Sequence, residues 1–289
     1  MVRGKIFGLA GAAALSTATL AADLPPPLPP PVYRAPVVVD SGGWYLRADV
    51  GVGWQQFKEF QFNQTNVGSG AVWPPSWRIE QRDIKDTFFV GGGIGYQWNN
   101  WFRFDFTGEY RASTKFKALG SFTEFCPGGV RCFDLYDGDH QASVFLANFY
   151  FDLGTWWCLT PFVGFSAGGA YHRTAALTDI GSAGGGNVPF GFTLTDNSHW
   201  NFAWAGTAGL AYNVTNTFKV EFSYRYLNMG DVKTSEILCG ASGCGSGQGP
   251  RAFYTLTNFH SNDFRIGMRW LLQPDAPAYA PPPPLMRKG

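Results

Sequence analysis

Period-two alternation recurs along this chain on a scale that leaves few folds open. Between Trp98 and Arg111, Phe102, Phe104, Phe106 and Tyr110 take every second place, and Arg103, Asp105, Thr107, Glu109 and Arg111 fill the places between or beyond. An extended strand throws successive side chains to opposite faces, so this segment has one aromatic face and one charged face. The same pattern returns in GWYLRADVGVGW, TFFVGGGIGYQW, FKVEFSYRY and NDFRIGMRWLL. Three less regular segments, Gln141 to Leu153, Leu159 to Tyr171 and Trp200 to Tyr212, complete eight strands of about ten residues, enough to cross a bilayer when tilted.

The connections alternate as well. Asn99-Asn100, GTWWC and NVTNT are short, whereas residues 58–85, 113–139, 173–198 and 228–261 are long. Short turns at one end and long loops at the other are the pattern of an outer-membrane barrel, with the turns in the periplasm. Alternation alone also permits a soluble lipocalin-like barrel with its aromatic face inside. Trp and Tyr at the strand ends, such as Trp44, Trp54, Trp98, Tyr110, Trp200, Tyr212 and Trp270, favour the membrane, where they mark the two interfaces. The expected fold is all-β: an eight-stranded antiparallel up-and-down transmembrane β-barrel with Pro-rich N- and C-terminal extensions.

The ends agree with export. Arg3 and Lys5 precede a small-residue apolar run, and Thr19-Leu20-Ala21 offers a cleavage site, so residues 1–21 read as a signal peptide. Thirteen of the 19 prolines lie in residues 25–36 and 274–284, making residues 22–42 and 273–289 spacers around a barrel of residues 43–272. Extended as polyproline at about 3.1 Å per residue, the first spacer reaches on the order of 60 Å. Both termini are expected in the periplasm, because an even strand number returns the chain to its starting side. With a net charge of +1 and no basic patch, nucleic acid is not an expected partner. Outer-membrane lipid, lipopolysaccharide and the barrel assembly machinery are.

A narrow eight-stranded barrel is just filled by side chains. Its inward set holds Arg47, Arg103, Arg111, Lys219, Arg225, Arg265 and Arg269 against Asp49, Asp105, Glu109, Asp152 and Glu221. Charges removed from bulk water must be paired or wet, which points to a crosslinked plug. A basic lumen passing small anions is the alternative reading.

The segments ANFYFDLGTWWCLTPFVGFSAGGAYH and FKVEFSYRYLNMG, with the closing SNDFRIGMRW, resemble the outer-membrane immunogenic protein family, small surface-antigen barrels of Gram-negative bacteria. The resemblance implies an abundant structural protein with no catalytic residues. It also implies a mature N-terminus joined covalently to peptidoglycan, here at Ala22-Asp23 after cleavage behind Ala21. Two features depart from the family: long Cys-containing loops, and a Pro-rich tail that makes the last strand internal to the chain.

In an exported protein the close pairs Cys126/Cys132 and Cys239/Cys244 are candidate loop disulfides, leaving Cys158 over in the turn GTWWC. Zinc at the four loop cysteines is the alternative. His140, His172, His199 and His260 fall where strands meet long loops. They read as solvated rim residues, with a metal or haem site as the sharper alternative. No Ser, His and acid arrangement suggests an enzyme, and no cofactor is expected. Two function classes stand: a structural barrel that supports the envelope and presents surface loops, and a small-solute porin or ligand-binding adhesin barrel.

Overall fold

The computed structural model describes residues 42–64, 76–123, 126–183, 186–192, 195–239 and 252–272. The signal peptide, nearly all of both Pro-rich segments, and Cys244 lie outside the described residues. In chain order the strands are β1 (Gly43–Gln56), β2 (Glu59–Gln64), β3 (Arg78–Ile84), β4 (Thr87–Gln97), β5 (Phe102–Phe122), β6 (Cys132–Asp152) and β7 (Leu159–Ala183). They continue as β8 (Gly186–Phe192), β9 (Asn197–Asn213), β10 (Phe218–Asn228), β11 (Val232–Lys233), β12 (Leu238–Cys239), β13 (Ala252–Thr257) and β14 (His260–Leu271).

Eight of these form a closed antiparallel ring, β1-β4-β5-β6-β7-β9-β10-β14, with β14 returning to β1 over the register Tyr45↔Leu271 to Gln56↔His260. They coincide with the eight alternating segments of the sequence. The outward faces expose Trp44, Leu46, Val50, Phe88, Val90, Phe106, Phe165, Phe202, Phe222 and Ile266 as an apolar band. Trp98, Trp101, Tyr212 and Trp270 rim the band at one end, and Trp54, Tyr110, Tyr171 and Trp200 at the other. Ten residues separate Trp44 from Trp54, the length a tilted strand needs to cross a bilayer. Polar side chains close the short turns: Asn99 Oδ1 accepts the amides of Trp101 and Phe102 at 3.0 and 2.7 Å, and Thr215 Oγ1 accepts that of Phe218 at 2.9 Å.

The long connections are more structured than the sequence reading allows. β5, β6 and β7 run 21, 21 and 25 residues, so they stand about ten residues beyond the apolar band. There β3 adds to the edge of β5, and β8 and β12 add beyond β7. The alternation breaks where this extension begins. A bulge on β5 between Arg111 and Thr114 moves the inward set from odd to even positions, and a second bulge on β7 contains Ala176 at φ 51°. Bulges at a barrel rim bend the wall and re-aim side chains. Each slip ends a period-two pattern without ending the strand.

A separate three-stranded sheet, β11-β13-β2, fills the mouth behind this wall. Phe60 stacks on Tyr254 at 4.6 Å, and Tyr136 closes on Tyr254 at 4.8 Å. Phe116, Leu177, Val232, Leu256 and Phe259 are buried around them. Burying each such side chain is worth about 1.5–3 kcal/mol, so the mouth is held shut by a small apolar core of its own.

Candidate functional site in the barrel lumen

Below this apolar cap, the inward faces bring Arg47, Arg103, Arg111, Arg225, Arg265 and Arg269 against Asp49, Asp105, Glu109, Asp152, Glu221 and Asp263, all of them buried. The guanidinium and carboxylate numbers match, and the pairs fall into two layers.

The layer near the short turns centres on Arg47. It donates to both oxygens of Asp49 (2.9 and 2.7 Å), to Asp105 (2.7 Å) and to the Tyr150 hydroxyl (2.9 Å). Asp105 also accepts from Tyr45 at 2.9 Å and Asn148 at 2.6 Å, so one carboxylate ties together β1, β5 and β6. Arg265 reaches Asp49 at 2.9 Å, and Glu221 is shared by Arg269 (3.0 Å) and Arg103 (3.3 Å). Arg103 meets Asp152 at 3.2 Å and lies over the rings of Tyr150 and Phe162, at 4.2 and 4.8 Å, which supplies a cation–π contribution.

The layer near the cap is a four-residue ring. Arg111 bonds Glu109 at 2.8 Å and Asp263 at 2.7 Å, and Arg225 bonds the same two carboxylates at 2.7 and 2.6 Å. Ser261 donates to Asp263 and accepts from Arg111, and the Phe89 ring lies under both guanidiniums. Asp263 is the member absent from the sequence inventory. Its signal is its place two residues before Arg265 on the same inward face. Lys219, counted in that inventory, is half-buried opposite Arg269 at the turn end of the barrel.

Glycines make room for this network. A Cβ on Gly53 would collide with Arg111 Nη2, Asp263 Oδ1 and Ser261 Oγ, and one on Gly95 with the Tyr45 ring and Asp105. The small residues on the inward faces of β1 and β4 are the space the arginines occupy.

The histidines depart from the solvated-rim reading. His140 and His172 are 2% and 0% exposed and face inward beneath the cap. His140 Nε2 and His172 Nδ1 are 2.9 Å apart, His172 Nε2 lies 3.0 Å from the Met229 carbonyl oxygen, and Phe259 covers the His140 ring at 4.5 Å. The register inside the barrel, not the loop, sets their environment. His199 pairs with His172 across β7 and β9 and is only partly buried, as is His260. Among the described residues no group of three or more His, Cys, Asp or Glu side chains is arranged to hold a metal ion.

Cys126 and Cys132 are bridged at the tip joining β5 to β6, and Cys158 is a free exposed thiol in a short turn. Cys239 lies on β12. Ala22 and Asp23 are outside the described residues.

A family model described as the outer membrane protein beta-barrel domain matches residues 7–243. The chain belongs to that family. It is therefore a transmembrane β-barrel of the outer membrane, and the apolar band between the two aromatic rims is its lipid-facing surface. An uncharacterized protein of Brucella suis biovar 1 is 28% identical over 281 residues, covering 84% of this chain and 87% of the relative. Among solved structures, the barrel is similar to the outer membrane protein OprG from Pseudomonas aeruginosa, with a TM-score of 0.47, 13% identity, and coverage of 80% and 95% of the two chains. It is also similar to Neisserial surface protein A, with a TM-score of 0.40, 16% identity and coverage of 80% and 99%.

Proposed function

We propose that this outer-membrane barrel is a structural, non-enzymatic and non-conducting component of the envelope that presents a folded surface lobe. The observation that carries the reading is the filled lumen: two layers of matched ion pairs beneath an apolar cap. Both barriers oppose permeation independently. A hydrated solute would have to separate buried pairs and then pass through a packed aromatic cluster. Proteoliposomes holding the refolded protein are expected to release small sugars, amino acids and anions no faster than protein-free vesicles. Solute release that rises with protein content would overturn the reading in favour of a porin.

The two chain ends of the barrel, Gly43 and Leu271, lie at the short-turn end. In this proposal that end is periplasmic and the lobe is outside. Ala22 then begins a Pro-rich arm reaching on the order of 60 Å toward the wall. Its amine would be crosslinked to a peptidoglycan stem peptide, and the barrel would rivet membrane to wall. Boiled sacculi should release the protein only after muramidase digestion, with the wall fragment on Ala22. Recovery of the whole population with a free N-terminus rejects the tether.

One observation favours a surface-contact role as well. On the outward face of the extracellular extension, Leu119, Leu135 and Ile180 stand side by side across β5, β6 and β7, with Phe133 and Val130 exposed next to them. Exposed apolar groups in such a row suit contact with another surface.

A further inference from the structure

His140 and His172 sit where the cap joins the barrel wall, and their hydrogen bonds leave no freedom in where the protons are. The Met229 carbonyl oxygen can only accept, so His172 Nε2 carries a proton and donates to it across 3.0 Å. In a neutral ring Nδ1 of His172 is then an acceptor, and His140 Nε2 must donate to it across 2.9 Å. That leaves His140 Nδ1 as a bare lone pair, buried, with no hydrogen-bond partner. The chain His140→His172→Met229 needs a neutral His172, and it carries no buried charge only while His140 is neutral as well.

Met229 is where the segment that closes the mouth departs from the wall. Its amide donates to the Phe259 carbonyl at 2.8 Å, and the Phe259 amide donates to the Gly230 carbonyl at 2.7 Å. Three further contacts continue the seam: Thr174 Oγ1 and Asn197 Nδ2 donate to the Lys233 carbonyl at 3.0 and 2.9 Å, and the Thr234 amide donates to the Tyr254 carbonyl at 2.9 Å. The histidine pair, together with Asn201, which donates to the same Met229 carbonyl at 3.3 Å, thus fastens the inner end of the segment 229–234 and, through Phe259, of β13.

We propose that the His140–His172 pair is an acid-sensitive latch, whose protonation frees the mouth-closing segment from the barrel wall.

The surroundings give an added proton nowhere to go. A proton on His172 Nδ1 expels the His140 donor, and one on His140 Nδ1 creates a buried cation without an acceptor. The charged and titratable groups acting on the pair are cationic or can become so: Arg111 from β5 and His199 from β9. The nearby carboxylates are engaged elsewhere. Glu109 and Asp263 hold Arg111 and Arg225, and Asp231 Oδ1 accepts from the Asn258 amide at 2.8 Å. Both rings lie outward of Tyr110 and Tyr171, beyond the membrane-spanning parts of β5, β6 and β7. Burial there pulls His140 well below its ordinary value and His172 down to about 4, while a solvated histidine titrates near about 6.5. A freed latch therefore binds protons more tightly than a closed one. Closure is fully supported above about pH 6.5 and weakens progressively as pH falls toward 4.

The test is hydrogen exchange with mass spectrometry on the full-length protein refolded in lipid nanodiscs, at pH 7.5 and 5.0, corrected for intrinsic exchange. The amides of Met229, Thr234 and Phe259 are expected to lose protection at least tenfold at pH 5.0, while those of β14 within the membrane stay protected. His140→Gln keeps a neutral donor toward His172 and removes one of the two titrating rings, so the response should shrink to that of His172 alone; His140→Arg should show the loosened state already at pH 7.5. Equal protection of the wild-type seam at both pH values overturns the proposal, and needs no variant to fold. So does a full acid response retained in His140→Gln.

Discussion

Asp263 offers the sharpest perturbation of the lumen. Its carboxylate accepts from Arg111 at 2.7 Å, from Arg225 at 2.6 Å and from Ser261 at 2.6 Å, and none of the three has access to bulk water. Asp263→Leu removes one charge from a balanced set and leaves Glu109 alone to hold two guanidiniums. Breaking a buried pair from one side costs about 3–5 kcal/mol, because the stranded cation stays desolvated. Removing both sides of a pair is much milder, so Asp263→Leu combined with Arg225→Met should recover at least about half of that loss. The assay is equilibrium denaturation of the barrel in lipid vesicles, followed by the heat-modifiable gel shift. Lys233→Ala, on the surface lobe, is the reference and should stay within about 0.5 kcal/mol of wild type. If Asp263→Leu shifts the midpoint no more than Lys233→Ala, the lumen is hydrated and the plug argument fails.

Three further outcomes are expected. Gly53→Ala should destabilise the barrel by about 1–3 kcal/mol in the same assay, since its methyl would displace Arg111 and Asp263 from their contact. On the strand extensions beyond the apolar band, burial raises Asp134 to about 6 and Asp179 to about 8, so both favour the folded lobe as neutral acids; their contribution is complete below about pH 4 and is lost as pH rises to 8. Exchange protection of residues 132–136 and 177–181 should therefore fall between pH 5 and 8.5, and Asp179→Asn should flatten that fall, opposite in sign to the acid response of the histidine seam. Reducing the Cys126–Cys132 bridge should speed protease cleavage near residues 123–131 while leaving the denaturation midpoint of the barrel unchanged, because the loop it closes is short and lies beyond the spanning strands.

The spanning strands are legible in the sequence because the bilayer and the lumen impose opposite demands on alternate residues, and Phe102 to Arg111 states both at once. The charged network is legible for the same reason: once parity is known, Arg47, Asp105 and Glu221 can only face in. What parity cannot carry across is a bulge. Past Arg111 the inward set becomes Thr114, Phe116 and Ala118, and past Thr174 it becomes Leu177 and Asp179, so the extended walls of β5 and β7 look like loops to a period-two reading. The inner sheet is hidden differently. Phe60, Val232 and Tyr254 are far apart in sequence, and each short strand is stabilised by the others and not by any local pattern. His140 and His172 inherit the error, since residues assigned to a solvated rim are in fact roofed by Phe259 and Met229.

The cross-strand order of the lumen has a consequence for how the ring closes. Reading from β10 through β14 to β1, Lys219, Arg269 and Arg47 lie on one rung, and Glu221, Gly267 and Asp49 on the next. On the first of these rungs three like charges sit directly opposite one another, and their relief comes from the carboxylates of the next. Sliding β14 by two residues against β1 would keep every apolar side chain toward lipid and satisfy the membrane equally well. It would also carry Asp263 two residues along the wall from Arg111, its partner across the lumen. The lipid-facing surface cannot detect such a slip, but the lumen can. The two strands that meet from opposite ends of the chain thus share a register whose lumen contacts exist only once the ring is complete.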